Sequence, residues 1–219
     1  MRRLVLLGLL VTSASHAQPA DSVAWGLPAW WDADEQARFL HRSERASSWF
    51  GTGQLATTPL PAGTREIRIR EVSSLREPLF AYRLVDDHGS VSDHAWLVWG
   101  SDADSLLNPF YSGWCAGLHA RDAVTVCPRQ LPADGLSPTA LLDRFERLGL
   151  WTLAGEQPAP AGMLTVRGDG QTFVVELRDG PRYRAYTYWS PRRDQEPDEA
   201  AAAEIIEAAT ARAWILPAP

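Results

Sequence analysis

Two Asp-Gly dipeptides, Asp169-Gly170 and Asp179-Gly180, punctuate a run of strand-type alternation between residues 163 and 189. No other feature of the chain constrains its fold as strongly. Asp-Gly supplies the positive backbone angles of a tight turn, so apolar alternation on both sides of it reads as a hairpin. Three antiparallel strands in succession are therefore expected. Helix signals flank them. Ser137 followed by Pro138 is a helix start, because proline suits the first helical position. Leu141, Leu142, Phe145 and Leu148 then form a buried stripe, Asp143 and Arg147 stand at i,i+4, and Gly149-Leu150 fits a Schellman-type end. Downstream, Pro197 with Glu196, Asp198 and Glu199 around it opens a second helix whose apolar face is Ala202, Ile205, Ile206 and Ala209, with Trp214 following. Residues 132–219 thus read helix–strand–strand–strand–helix, an α+β unit with both helices on one sheet face.

Side-chain parity assigns the faces of these strands. A two-residue Asp169-Gly170 turn puts Leu164 and Val166 with Phe173 and Val175. At the second turn, a two-residue Asp179-Gly180 loop would set Val175 against Arg184 and Leu177 against Arg182. A three-residue loop with Gly180 at positive φ instead predicts a clean face of Leu164, Val166, Phe173, Val175, Leu177, Tyr183 and Ala185. The outer face would carry Thr165, Arg167, Thr172, Val174, Glu176, Arg184, Tyr186 and Tyr188. Tyrosine and arginine are enriched at binding hot spots, so Arg184, Tyr186 and Tyr188 form the candidate binding surface. The competing structural reading packs this face against the amino-terminal half, its arginines paired to acids.

Residues 18–131 form that half. A lead-in containing Trp25, Trp30 and Trp31 precedes Asp32 and Glu35, which are spaced as a capping box. Phe39, Leu40, Ser43, Ala46, Trp49 and Phe50 recur at helical spacing up to Gly51, and residues 52–64 read as a connector. Strands are expected at 66–72, 78–85 and 95–99, with a polar turn over 86–93 and an irregular stretch over 101–113. A hairpin around Ala120–Asp122 would set Cys115 opposite Cys127, Ala116 opposite Val126 and Leu118 opposite Val124. The short segment 132–138 is the candidate boundary between halves. The fold class expected is α+β, with antiparallel meander sheet or sheets and helices packed on one face.

Residues 1–17 read as a signal peptide: Arg2 and Arg3, an apolar run from Leu4 to Val11, and a small-x-small site at Ser15-His16-Ala17. That run is too short to span a bilayer, and no later segment is long enough. The expected product is a periplasmic or secreted protein with no membrane span after cleavage. In an oxidising compartment the Cys115–Cys127 pair reads as a disulfide, closing a loop worth roughly 3 kcal/mol. Cleavage would leave nineteen arginines against twenty-seven acids, a formal charge of −8. Such a chain lacks the basic footprint of a nucleic-acid binder.

All 21 basic residues of the 219-residue chain are arginine. Lysine's absence removes Schiff-base, P-loop and Ser–Lys chemistry and implies no cofactor of those classes. No Gly-x-Ser-x-Gly elbow occurs, and His41 falls in the amino-terminal helix. The most polar cluster is Asp86, Asp87, His88, Asp93, His94, Asp102 and Asp104. Its spacing fits neither a zinc motif nor a calcium loop, and Ser90 or Ser92 with His94 and Asp102 lacks a supporting pattern for a triad. A sugar platform built from the 10 tryptophans is disfavoured, since Trp49, Trp96, Trp99 and Trp151 fall at core positions. The expectation is a non-catalytic periplasmic binding or envelope-associated module with a protein or small-ligand partner. The rival is a secreted hydrolase or metal-dependent enzyme using the Asp/His cluster at 86–104.

Overall fold

The structure, a computed structural model, describes residues 26–28, 31–49, 51–73, 79–100, 119–121, 124–128, 131, 135–156 and 170–214. It is an α+β fold. Among these residues, one antiparallel sheet contains β1 (Thr64–Ser73), β2 (Leu79–Asp87), β3 (Ser90–Gly100), β4 (His119–Arg121), β5 (Val124–Pro128), β6 (Thr172–Asp179) and β7 (Arg182–Trp189). The strand order is β4-β5-β3-β2-β1-β6-β7, so β1 of the amino-terminal half is hydrogen-bonded to β6 of the carboxy-terminal half. Three helices are described: α1 (Ala33–Trp49), α2 (Pro138–Arg147) and α3 (Pro197–Trp214).

Helix ends follow local chemistry. Asp32 and Glu35 form the reciprocal capping box of α1: the Glu35 backbone N–H donates to Asp32 Oδ1 at 2.7 Å and the Asp32 N–H to Glu35 Oε2 at 3.2 Å. Gly51, at φ 65°, follows the helix as expected. Ser137 caps α2 by accepting from the Ala140 N–H at 3.2 Å, with Pro138 inside the first turn. Gly149 N–H donates to the Glu146 carbonyl and Leu150 N–H to the Phe145 carbonyl, the two bonds of a Schellman end. The expected apolar face of α3 is buried at Ala202, Ile205, Ile206 and Ala209.

Alternation along β1 divides the sheet into two chemically different faces. Ile67 and Ile69 point to one side, where they join Tyr82, Leu84, Val175 and Leu177 beneath Leu141 and Phe145 of α2 and Ile205 and Ile206 of α3. Glu66, Arg68 and Arg70 point to the other, and all three are nonetheless buried. Helix α1 covers this charged side. Its small Ser43, Ala46 and Ser47 are buried on this side, and the serines answer the charges: Ser43 Oγ donates to Glu176 Oε1 at 2.6 Å, and Arg68 Nη1 donates to Ser47 Oγ at 2.8 Å. The two carboxy-terminal helices thus share a face as expected, while α1 lies on the opposite one. A single-faced arrangement would have left six strand charges, Glu66, Arg68, Arg70, Arg83, Glu176 and Arg178, without that cover.

Three expectations are corrected. The β2–β3 connection is not a polar turn spanning 86–93. Both strands run on, and only His88 and Gly89 turn, at φ 53° and 89°, as in a type I′ hairpin. The acids inside these strands are tolerated because they are paired: Arg65 Nη2 donates to Asp86 Oδ2 at 2.6 Å, and Asp93 accepts from Tyr82 and Arg212. The β4–β5 register sets Val124 opposite Arg121 and Val126 opposite His119, replacing the expected partners Leu118 and Ala116.

The third correction concerns the β6–β7 loop. It has two residues, Gly180 and Pro181, with Asp179 opposite Arg182, so Leu177 pairs with Arg184, Val175 with Tyr186 and Phe173 with Tyr188. Gly180 does take positive φ, at 53°. The three-residue loop does not form, and every side chain of β7 faces the opposite side from the one expected. The first of the three expected carboxy-terminal strands, with Leu164, Thr165, Val166 and Arg167, lies outside the described residues. The described order there is helix–strand–strand–helix.

Candidate functional site

The sequence-derived surface of Arg184, Tyr186 and Tyr188 is not a surface. Their exposures are 7%, 1% and 1%, and the two tyrosines sit in the core beneath α2 and α3. Arg184 is tolerated there because backbone carbonyls accept its hydrogen bonds: Nη1 donates to Trp151 O at 2.8 Å and Nη2 to Leu153 O. Its guanidinium also lies 5.2 Å from the Tyr186 ring centroid. Burial, with no carboxylate bonded to it, lowers the Arg184 pKa. The residues clamp the segment after α2 onto β7.

The Asp/His cluster is scattered. Asp93 lies on the α3 side, accepting from Arg212 Nε at 3.0 Å, whereas His94 points the other way and stacks 5.8 Å from Trp96. Asp86 is committed to Arg65 and to the Gly89 N–H. Burial raises the Asp86 carboxyl pKa, but those bonds outweigh it and hold the pKa below the ordinary value. Asp87 accepts from Thr64 Oγ1 at 2.9 Å, and His88 is exposed at the turn. Asp102 and Asp104 lie outside the described residues. Among the described residues, no three His, Cys, Asp or Glu side chains are grouped to hold a metal ion. Cys127 is buried in β5 opposite Leu97 of β3, and Cys115 lies outside the described residues. No helix among the described residues is long and apolar enough to cross a membrane.

A different site emerges between α1 and the β1–β6–β7 end of the sheet. It is a cavity of about 430 Å³. Its floor is one cross-strand row, Arg70 of β1 beside Val174 of β6 beside Thr187 of β7. Val72 enters its wall where the β1–β6 register shifts between Glu71 and Ser73, a bulge of the kind that redirects side chains beside sites. From above, successive turns of α1 contribute Glu35, Arg38, Phe39 and Arg42, with Trp31 at the entry to the helix. Trp31 and Phe39 pack with ring centroids 4.9 Å apart. Glu156 closes one side, held by its own N–H to the Thr187 carbonyl and by the Trp189 N–H on its carboxylate at 3.1 Å.

The arginines define the chemistry. Arg38 and Arg42 are exposed, one helical turn apart, and neither makes an ion pair among the described residues. Arg70 is 4% exposed; its Nε donates to Glu176 Oε2 at 3.2 Å, and its guanidinium carbon lies 5.6 Å from the Phe39 ring centroid. Its Nη2 is buried with no hydrogen-bond partner among the described residues. An unmet donor on a charged group costs about 1–3 kcal/mol or more, so this one calls for an explanation. The carboxylates in the lining are already engaged, Glu35 in the α1 cap and Glu156 on the Trp189 N–H. The arrangement presents cationic donors and an aromatic wall to whatever enters.

Sequence reasoning missed this cavity. Arg38 and Arg42 look like an ordinary solvated helix face, and Arg70 like an outward strand charge. One signal was there to be used: Arg38 and Arg42 stand at i,i+4, unfavourable on an isolated helix, and Arg42 has no acid three or four positions away, since Asp34 and Glu35 take that spacing only from Arg38. No family model, curated protein or solved structure matches the chain.

Proposed function

We propose that the protein is a non-catalytic binding module of the cell envelope, and that its ligand site is the cavity between α1 and the β1–β6–β7 sheet end. The ligand is a small molecule bearing an anionic group. One observation carries the reading: Arg70, a residue of the cavity lining, has a buried Nη2 that is unbonded among the described residues, and Arg38 and Arg42 stand exposed in the same lining. The lining favours holding over turnover. It contains no histidine, cysteine or serine among the described residues, and both of its carboxylates accept backbone hydrogen bonds. The rival enzyme at 86–104 has less support, because Asp93 and His94 project to opposite faces. The proposal includes export of the chain with residues 1–17 as leader, to the periplasm or the medium, and a Cys115–Cys127 disulfide.

Thermal unfolding in the presence of a charge-sorted panel of small anions, cations and neutral compounds tests the reading. At a hundredfold excess over Kd a ligand stabilises the fold by about 2.7 kcal/mol. For a domain of this size, that raises Tm by roughly 5–11 °C. Anions should produce the shift, and an Arg38→Gln/Arg42→Gln double variant should reduce it without altering the Tm of the free protein. A panel in which only cations shift Tm, or in which nothing does, overturns the reading.

A further inference from the structure

Resting on that reading of the cavity, we infer that its ligand is a monocarboxylate attached to an aromatic or branched apolar body. The charge of the lining argues for a monoanion. Among the described residues, three arginines face two glutamates, one net positive charge. The innermost arginine, Arg70, already shares its charge with Glu176. A phosphate dianion seated there would meet Glu176 behind Arg70 and Glu35 and Glu156 around it. Like charges brought together in a partly desolvated site are costly, whereas a single carboxylate is balanced.

The rest of the lining argues for the apolar body. Trp31 and Phe39 supply an aromatic wall, and Val72 and Val174 complete an apolar patch beside the arginines. A volume of about 430 Å³ falls in the lower part of the range for small-molecule sites. It is far larger than a bare inorganic anion needs. Depth orders the contacts. Arg38 and Arg42, in solvent, attract the anion to the mouth, and Arg70 Nη2 donates to a carboxylate oxygen at the buried end. Nη2 is shielded from solvent, so seating the ligand displaces the side chains over it. Association should then be slower than diffusion and only weakly dependent on viscosity.

The test is a fluorescence or calorimetric titration of the full protein with four probes: 4-phenylbutyrate, its amide 4-phenylbutanamide, phenyl phosphate and acetate. Phenylbutyrate should bind at least roughly tenfold more tightly than each of the others, the scale expected for one charge-assisted hydrogen bond. Arg70→Gln should lose roughly that tenfold for the acid and leave the amide unchanged. Because Arg70 is buried, this variant is paired with the exposed Arg38→Gln/Arg42→Gln variant, which should weaken the acid and flatten its salt dependence while sparing the amide. An amide that binds as well as the acid, phenyl phosphate that binds more tightly, or acetate that binds equally well overturns the ligand class and leaves the cavity reading standing. Failure of all four probes, in a protein that also shows no response to the wider anion panel, removes the cavity reading itself.

Discussion

Replacing Glu66 with glutamine is the sharpest probe of the charged sheet face beneath α1. Glu66 is 2% exposed and accepts three charged donors: Arg68 Nε at 2.7 Å, Arg83 Nε at 2.6 Å and Arg83 Nη2 at 2.9 Å. Glutamine keeps the shape but turns one acceptor into a donor that faces a guanidinium, and it removes the carboxylate bonded to the buried Arg68. Breaking a buried pair by removing one partner costs about 3–5 kcal/mol. Arg83, with its side chain 24% exposed, regains water, which sets the expectation near the lower bound, about 3 kcal/mol. That is a large share of a total stability of about 5–15 kcal/mol and corresponds to a Tm loss of roughly 6–12 °C. Urea unfolding at pH 7, with near-ultraviolet circular dichroism as the probe, measures it.

The penalty also carries a pH signature. Burial raises the Glu66 pKa, but the Arg83 hydrogen bonds and the charges of Arg68 and Arg83 outweigh it and hold the carboxyl below its ordinary 4.5. A carboxyl depressed in the folded state stabilises the fold above the unfolded value and loses that contribution as pH falls through the folded one. The gap between wild type and Glu66→Gln should therefore be full above about pH 5 and close progressively in the acid range below 4.5. A gap below about 1 kcal/mol at pH 7, or one that persists unchanged at pH 3, refutes the assignment of Glu66 as the keystone of this network.

Three further outcomes are expected. Arg184→Met should cost roughly 1.5–3 kcal/mol and speed hydrogen exchange at residues 152–156, because the Trp151 and Leu153 carbonyls lose their donor; unchanged exchange there would contradict the clamp. Burial raises the pKa of Tyr82, Tyr183, Tyr186 and Tyr188, so these phenols should resist ionisation in the folded protein at pH values where free tyrosine titrates. Their contribution to stability is complete below the unfolded value near 10 and falls as pH rises above it, which absorbance at 295 nm and alkaline unfolding would follow together. Ser137→Ala should lose the α2 cap and about 1 kcal/mol by urea unfolding, with Ser137→Asp restoring most of it.

What the sequence made legible were the features governed by local rules. The Asp32–Glu35 box, the Ser137-Pro138 start, the Gly149-Leu150 stop and the stripe of α3 depend on residues within a few positions of one another, and the structure holds each of them. The α+β class followed from their order. Features set by distant partners were not legible. Asp86 and Asp93 read as turn residues because their partners, Arg65 and Arg212, lie 21 and 119 positions away. The cavity was hidden for the same reason: Arg70 and Phe39 belong to different elements, and only the packing of α1 on the sheet brings them together.

The misassigned face of β7 shows where parity arguments fail physically. Parity favours the three-residue loop because it keeps arginines away from Leu177 and Val175. That premise treats a guanidinium as something a core must expel. The cost of burying it depends on whether its donors are met, and backbone carbonyls can meet them, though without the counter-charge a carboxylate brings. The segment after α2 offers such carbonyls at Trp151 and Leu153, directly over position 184. Once they are counted, the two-residue loop loses its objection and gains two tyrosines in the core. In a chain whose only strong cation is arginine, this substitution of backbone acceptors for counter-ions has room to recur. Arg178 repeats it on the other face, donating to the carbonyls of Gly180 and Ala56. Against that pattern Arg70 stands out as the buried arginine whose Nη2 no carbonyl has met, and a ligand oxygen is the acceptor that would complete it.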